Sequence, residues 1–254
     1  MLGDMEKLSS ASKIWIEVGS GNRQRIIDVN KLYEELGNSL CNALPELHAF
    51  TGCDFNPAFY QKGKKRSQQL LRQSADFQKV FADLGYLNDN NRSEIFEKIQ
   101  AFVCHLYGMK KLKCVNEARF VLFSKTYKCS STVNDSFKIK VKNVDGSSMP
   151  PSQSELLQQF LRAAHIANIW RNAHAKIITE LSPIDHGWKI VEGKYEFDWF
   201  QGDQLPQLVN DVVLQPPEEN SDSRSETQSE TTDIDVSDHD EINEFDESEE
   251  EFDN

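Results

Sequence analysis

The sequence predicts a mostly α-helical protein with a small β component and a disordered acidic C-terminal tail. Three observations favour this class. Apolar residues recur at helical spacing through much of residues 29–180, short β-rich runs flank two glycine-containing turns, and residues 216–254 combine low hydrophobicity with dense negative charge. We therefore expect a flexible N-terminus (1–12), a hairpin followed by helices (13–127), a polar loop or insertion (128–150), a long helix with an aromatic segment on the same core (151–215), and the tail (216–254).

The first β-rich runs, 14–18 and 25–29, flank the sequence Gly-Ser-Gly-Asn at 19–22. A hairpin with a glycine-rich turn is the favoured interpretation. The alternative is a phosphate-binding loop, but the Lys-Ser/Thr pair and the helix that such a loop needs do not follow.

Local capping signals predict where several helices begin and end. Gly37 ends a first helix, Ser74 or Asp76 caps a later one, and Ser152 with Glu155 forms a capping box that opens a helix reaching Glu180. The predicted helices cover 29–36 and 39–50, begin again near 64, run from about 75 to Gly85 and from Ser93 to Gly108, and occupy 116–123, where Phe120 and Phe123 are available for packing.

Two segments allow more than one interpretation. Residues 137–142 alternate apolar residues with lysines, which fits an exposed basic strand or a solvated loop, and the loop is favoured. The aromatic residues of 186–200 suit short extended segments around Glu192-Gly193. Burial at one end of the core is favoured for them over a platform that stacks bases.

Charge is distributed very unevenly along the chain. The chain carries −13 in total, and residues 218–254 carry 17 acids against one arginine, which is −16 and leaves +3 for residues 1–217. The acidic pI therefore belongs to the tail, and a mildly basic folded part is compatible with a nucleic-acid partner.

Cysteines and terminal sequence point to the interior of the cell. The five cysteines include no CxxC pair, so neither a zinc ribbon nor a disulfide framework is predicted. The N-terminus lacks an apolar signal region and no segment has the length of a membrane span, so no membrane partner is expected. The predicted location is nuclear or cytoplasmic, with the nucleus favoured.

The segment 44–72 contains the candidate site. Asp54 follows a Thr-Gly-Cys corner, which makes it a candidate metal ligand or an ordinary turn residue. A basic cluster follows at Lys62, Gly63, Lys64, Lys65 and Arg66, where a helix beginning at Lys64 would offer N–H groups to phosphate. The alternatives for the cluster are a solvated face or a nuclear-import signal.

The sequence LHAFTGCDFNPAFYQKGKKRSQQLL resembles the HAFTGCD…GKGK signature of transposon-associated animal proteins, which are distantly similar to PIN and flap-endonuclease-like nucleases. Further likeness lies in IWIEVGSGNRQRIIDVNKLYEELG, CVNEARFVLFSK, MPPSQSELLQQFLRAAH and HGWKIVEGKYEFDWF. The resemblance implies an α/β PIN-like remnant with a helix–turn–helix-type region. In it, Asp54 would hold Mg²⁺, the one cofactor considered, and 62–66 would grip a duplex backbone.

Three departures limit what the resemblance implies. No Asp-x-Asp pair precedes Asp54, only Gly63 remains of the usual Gly-x-Gly grip, and the acidic tail stands where many relatives have a cysteine-rich one. The expectation is therefore the C-terminal portion of such a protein, binding DNA backbone nonspecifically without catalysis of its own. A metal-dependent nuclease would need carboxylates from another chain or from upstream sequence.

The tail supports an alternative function as an interaction protein that binds basic partners. Acids stand three residues after five hydroxyl residues, the pattern of an acidophilic kinase target, and phosphorylation would deepen the charge. The candidate phosphorylation sites are Ser223, Thr227, Thr232, Ser237 and Ser248.

Overall fold

One central helix organises the fold. The computed structural model describes residues 2–8, 12–126, 146–176 and 182–202. In this part of the chain helix α2 (Asn38–Phe50) packs against α4 (Ala75–Leu84) and α7 (Gln153–Arg171). The other helices of the described residues are α1 (Val29–Leu36), α3 (Lys64–Gln73), α5 (Arg92–Leu106) and α6 (Val115–Thr126).

Side-chain caps explain several of these boundaries. Asp28 accepts a hydrogen bond from the Lys31 N–H at the start of α1, and Ser74 accepts one from the Phe77 N–H at the start of α4. At α7, Ser152 and Glu155 form the predicted capping box. Because each cap satisfies an N–H group that the helix itself leaves unpaired, these starts are encoded locally.

The core is a cluster of aromatic side chains contributed by separate helices. The ring of Phe50 on α2 lies 5.3 Å from that of Phe59 and 5.7 Å from that of Phe81 on α4. Phe81 in turn meets Phe102 of α5 edge-on at 4.8 Å. These edge and tilted contacts are the favoured geometry of aromatic pairs, and they join the three helices at the end of α2 that leads into the candidate site.

Two antiparallel hairpins complete the described structure. Strand β1 (Trp15–Val18) pairs with β2 (Arg25–Asp28), and β3 (Trp188–Val191) pairs with β4 (Lys194–Phe197). Both hairpins lie where the sequence predicts them, and the mostly helical class with a small β component is confirmed. No described helix has the length and apolarity needed to cross a bilayer.

Three local expectations differ from the structure. Residues Leu2–Lys7, expected to be flexible, form a 3₁₀ helix whose Gly3 is buried against Pro45. Helix α7 ends at Arg171, well before the expected Glu180, which lies outside the described residues. Phe120, expected to pack, is 71% exposed, whereas Val115 and Ala118 in the first turn of α6 are buried.

Candidate nucleic-acid interface

The corner after α2 is a tight reversal of the chain. Gly52 has a φ of +117°, and a Cβ there would lie 2.7 Å from the Cβ of Ala58, so only glycine fits this approach of the two chain segments. The N–H groups of Cys53 and Asn56 then bond to each other's carbonyl oxygens, at 2.9 and 3.2 Å. The corner is therefore a short turn whose tip carries Asp54 and Phe55, both exposed.

Asp54 projects from this turn without a structural partner. Within the described residues it makes no hydrogen bond and no ion pair. The pKa of His48 on α2 is lowered, first by burial and then by the neighbouring Lys64, while the charge of Asp54 acts in the opposite direction. The described residues contain no group of three histidine, cysteine or acidic side chains able to hold a metal. One exposed carboxylate does not fit a protein-built Mg²⁺ site, which usually combines carboxylates with phosphate oxygens and water.

Asn56, two residues on, has a purely structural role. It is buried, and its amide nitrogen donates to the carbonyl oxygens of Ala49 at 3.0 Å and Gln159 at 3.2 Å. Gln159 of α7 donates to the carbonyl oxygens of Phe50 at 2.9 Å and Pro57 at 3.1 Å. These bonds fasten the corner to α7.

Arg162, one turn along α7, makes further contacts that hold the corner against this helix. The sequence analysis did not identify it. Its guanidinium is buried and donates to the Asn56 side-chain oxygen at 3.0 Å and to the carbonyl oxygens of Gly187 at 3.1 Å and Asp198 at 2.9 Å. Burial lowers the pKa of Arg162 to about 10, still above neutral pH. The available signal was a glutamine and an arginine at i and i+3 on an otherwise apolar helix face.

The basic cluster is divided by the structure into two parts. Lys64 donates to the His48 carbonyl oxygen at 3.2 Å, to the Thr51 hydroxyl at 3.4 Å and to the Gly52 carbonyl oxygen. A cation at a helix C-terminus stabilises the exposed carbonyls there. Lys64 therefore ties the start of α3 to the end of α2 and has a structural role.

The remaining cations of the cluster lie around the start of α3, and they differ in exposure. Lys65 and Arg66 are exposed in its first turn, and no side chain caps this helix. Lys62 is half-buried, with its ammonium 4.7 Å from the centroid of the Tyr107 ring. Gly63 has an ordinary φ of −64°, and a Cβ there would lie in open space, so the fold itself does not require glycine at this position.

The five candidate phosphorylation sites and the whole acidic tail lie outside the described residues.

No protein-family model matches the chain, and neither a curated protein nor a solved structure is significantly similar to it. The nuclease-like resemblance therefore stays a prediction.

Proposed function

We propose that this protein binds nucleic-acid backbone, as a transposon-derived relative of PIN and flap-endonuclease-like proteins, without catalysis by this chain alone. The observation that carries the proposal is the first turn of α3, where exposed Lys65 and Arg66 flank uncapped N–H groups. N–H groups and cations at a helix start suit phosphate oxygens. Contacts of this kind recognise the backbone and carry no sequence information.

The charge distribution supports the same proposal. From residue 55 to residue 75 the chain contains five cations and no acid. The nearest acid on the N-terminal side is Asp54. Its exposed carboxylate at the turn tip could face a phosphate-bound metal ion, but it would supply only one ligand. Backbone binding needs the cations alone, whereas two-metal cleavage needs several carboxylates.

Salt-dependent binding tests the proposal. Anisotropy of a short labelled duplex is measured with the full-length chain between about 50 and 200 mM salt, because each phosphate contact contributes about −0.9 to the slope of log K against log salt. Lys65→Gln with Arg66→Gln should make the slope less negative by about 2. Lys64 is left intact, since it ties α3 to α2.

A matched control removes equal charge elsewhere. Lys189 and Lys194 are exposed on the β3–β4 hairpin, so Lys189→Gln with Lys194→Gln should leave the slope unchanged. Equal effects of the two double variants, or an unaltered slope with the α3 variant, would mean that α3 is not the binding element.

An interaction protein that uses its acidic tail is the second candidate. The tail carries −16 and the preceding residues +3, so the chain itself contains a competitor for any basic surface. This function predicts binding to basic proteins that survives the α3 variant and weakens when salt screens the tail.

A further inference from the structure

A second basic stretch lies in the connection between α5 and α6. Residues 99–116 contain Lys110, Lys111 and Lys113 and no acid, just as residues 55–75 contain five cations and no acid. All three lysines are exposed. The two stretches are separated along the chain, and the sequence alone does not join them.

The structure joins them through Tyr107. This residue caps the C-terminus of α5 and immediately precedes the lysine-bearing connection, and the ammonium of Lys62 lies 4.7 Å from the centre of its ring. Helices α3 and α5 also contact each other directly. The start of α3 and the connection 108–114 are therefore neighbours on the folded protein.

The surface concentrates like charge. Burial, and then the nearby cation Arg66, lower the pKa of Lys62. Burial raises the pKa of Tyr107 to about 12, so its hydroxyl supplies no negative charge at neutral pH. Clustered cations repel one another, and an external anion relieves that repulsion.

The arrangement of these cations indicates what kind of anion would fit. They are spread over two elements, and all except the half-buried Lys62 are on exposed side chains. A small anion would meet one or two of them, whereas a polymer with regularly repeated phosphates would meet the whole set.

We propose that nucleic-acid backbone crosses from the first turn of α3, past Lys62 and Tyr107, to the α5–α6 connection, where Lys110 and Lys113 contact further phosphates. The inference rests on the proposed function and extends it. It identifies a second contact element and makes the footprint longer than the α3 turn alone can provide.

The test uses the full-length chain and the same labelled duplex. Lys110→Gln with Lys113→Gln should make the slope of log K against log salt less negative by about 2, because two phosphate contacts are lost. Lys189→Gln with Lys194→Gln is again the control of equal charge and should match the unaltered protein. Tyr107→Phe should bind as the unaltered protein does, since Lys62 uses the ring face and not the hydroxyl.

The outcomes separate this inference from the proposed function. If the α3 variant changes the slope while the connection variant matches the control, the α5–α6 surface is refuted and the proposed function stands. If the unaltered chain shows no salt-dependent binding, both are refuted. A rise in DNA affinity in the connection variant would overturn the assignment of this surface to nucleic acid.

Discussion

Arg162 provides the sharpest test of how the candidate site is held. Replacing it with methionine removes three hydrogen bonds from a charged donor, at 3.0, 3.1 and 2.9 Å, to Asn56, Gly187 and Asp198. Each is worth about 2 kcal/mol, and roughly 3 kcal/mol returns because a guanidinium is no longer buried. We expect Arg162→Met to lower the free energy of unfolding by about 3 kcal/mol.

Arg162→Lys should be at least as harmful. Lysine keeps the charge and its desolvation cost but lacks the planar fork that reaches separate acceptors, and it also gives up the stacking of the guanidinium 4.9 Å from the Phe197 ring. Urea unfolding followed by circular dichroism gives the free energies. Arg72→Met, at an exposed position of α3, is the control and should cost under about 0.5 kcal/mol. A lysine variant within about 1 kcal/mol of the unaltered protein would refute the reasoning.

Three further substitutions probe close approach and buried ionisable groups. Gly187→Ala should lower the free energy of unfolding by about 2 kcal/mol more than Gly193→Ala, as measured by thermal or urea unfolding. Both glycines have a positive φ, but only a Cβ at 187 would meet a carbonyl oxygen, at 2.6 Å. Equal losses in the two variants would contradict this steric explanation. Burial and the neighbouring His186 lower the pKa of His165, so the free energy of unfolding should fall as the pH drops below about 6.5. His165→Phe should reduce this loss, as measured by urea midpoints from about pH 8 to 5. A pH profile that the variant leaves unchanged would contradict the prediction. Burial raises the pKa of Glu46 to about 7, so the contribution of Glu46 to the free energy of unfolding should weaken as the pH rises from about 4.5 to 7. Over that range the stability of Glu46→Gln relative to the unaltered protein should rise by on the order of 1–3 kcal/mol. A difference that stays constant with pH would show that Glu46 does not titrate there.

Helix starts were predictable because their signals are local. Ser74, the Ser152–Glu155 box and the beginning of α3 after Gly63 all follow from adjacent residues. The end of α7 was not, because no glycine or proline follows Arg171 closely. Its position coincides with long-range bonds: the Arg171 side chain pairs with Glu46 and donates to the Asn42 carbonyl oxygen at 2.9 Å.

The sequence shows which residues lie in the corner and the basic cluster, but not which structural contacts each of them makes. The corner and the cations were evident in sequence, yet Lys64 and Lys65 are neighbours with different surroundings. The partners of Lys64 are carbonyls at the end of α2, which become accessible only after the chain reverses at Gly52. Arg162 bonds to Asn56, more than 100 residues away along the chain, and no local pattern specifies such a pairing.

Asp54 and Asn56 both lie in the corner, but their substitution should affect the stability of the protein differently. Asn56 is buried and bonded on both its amide atoms, whereas Asp54 at the turn tip is exposed and, within the described residues, bonded to nothing. Asn56→Ala should cost about 2–3 kcal/mol through unsatisfied buried groups. Asp54→Ala should change the free energy of unfolding by less than about 0.5 kcal/mol.

That difference gives Asp54 a clean functional test. If Asp54→Ala leaves stability intact in urea unfolding but abolishes any Mg²⁺- or Mn²⁺-dependent cutting or binding, the effect belongs to chemistry at the carboxylate and not to the fold. If Asp54→Ala instead destabilises the protein as much as Asn56→Ala does, the acid is a turn residue. A role for Asp54 as a metal ligand is then refuted, while the proposed backbone binding by Lys65 and Arg66 is not affected.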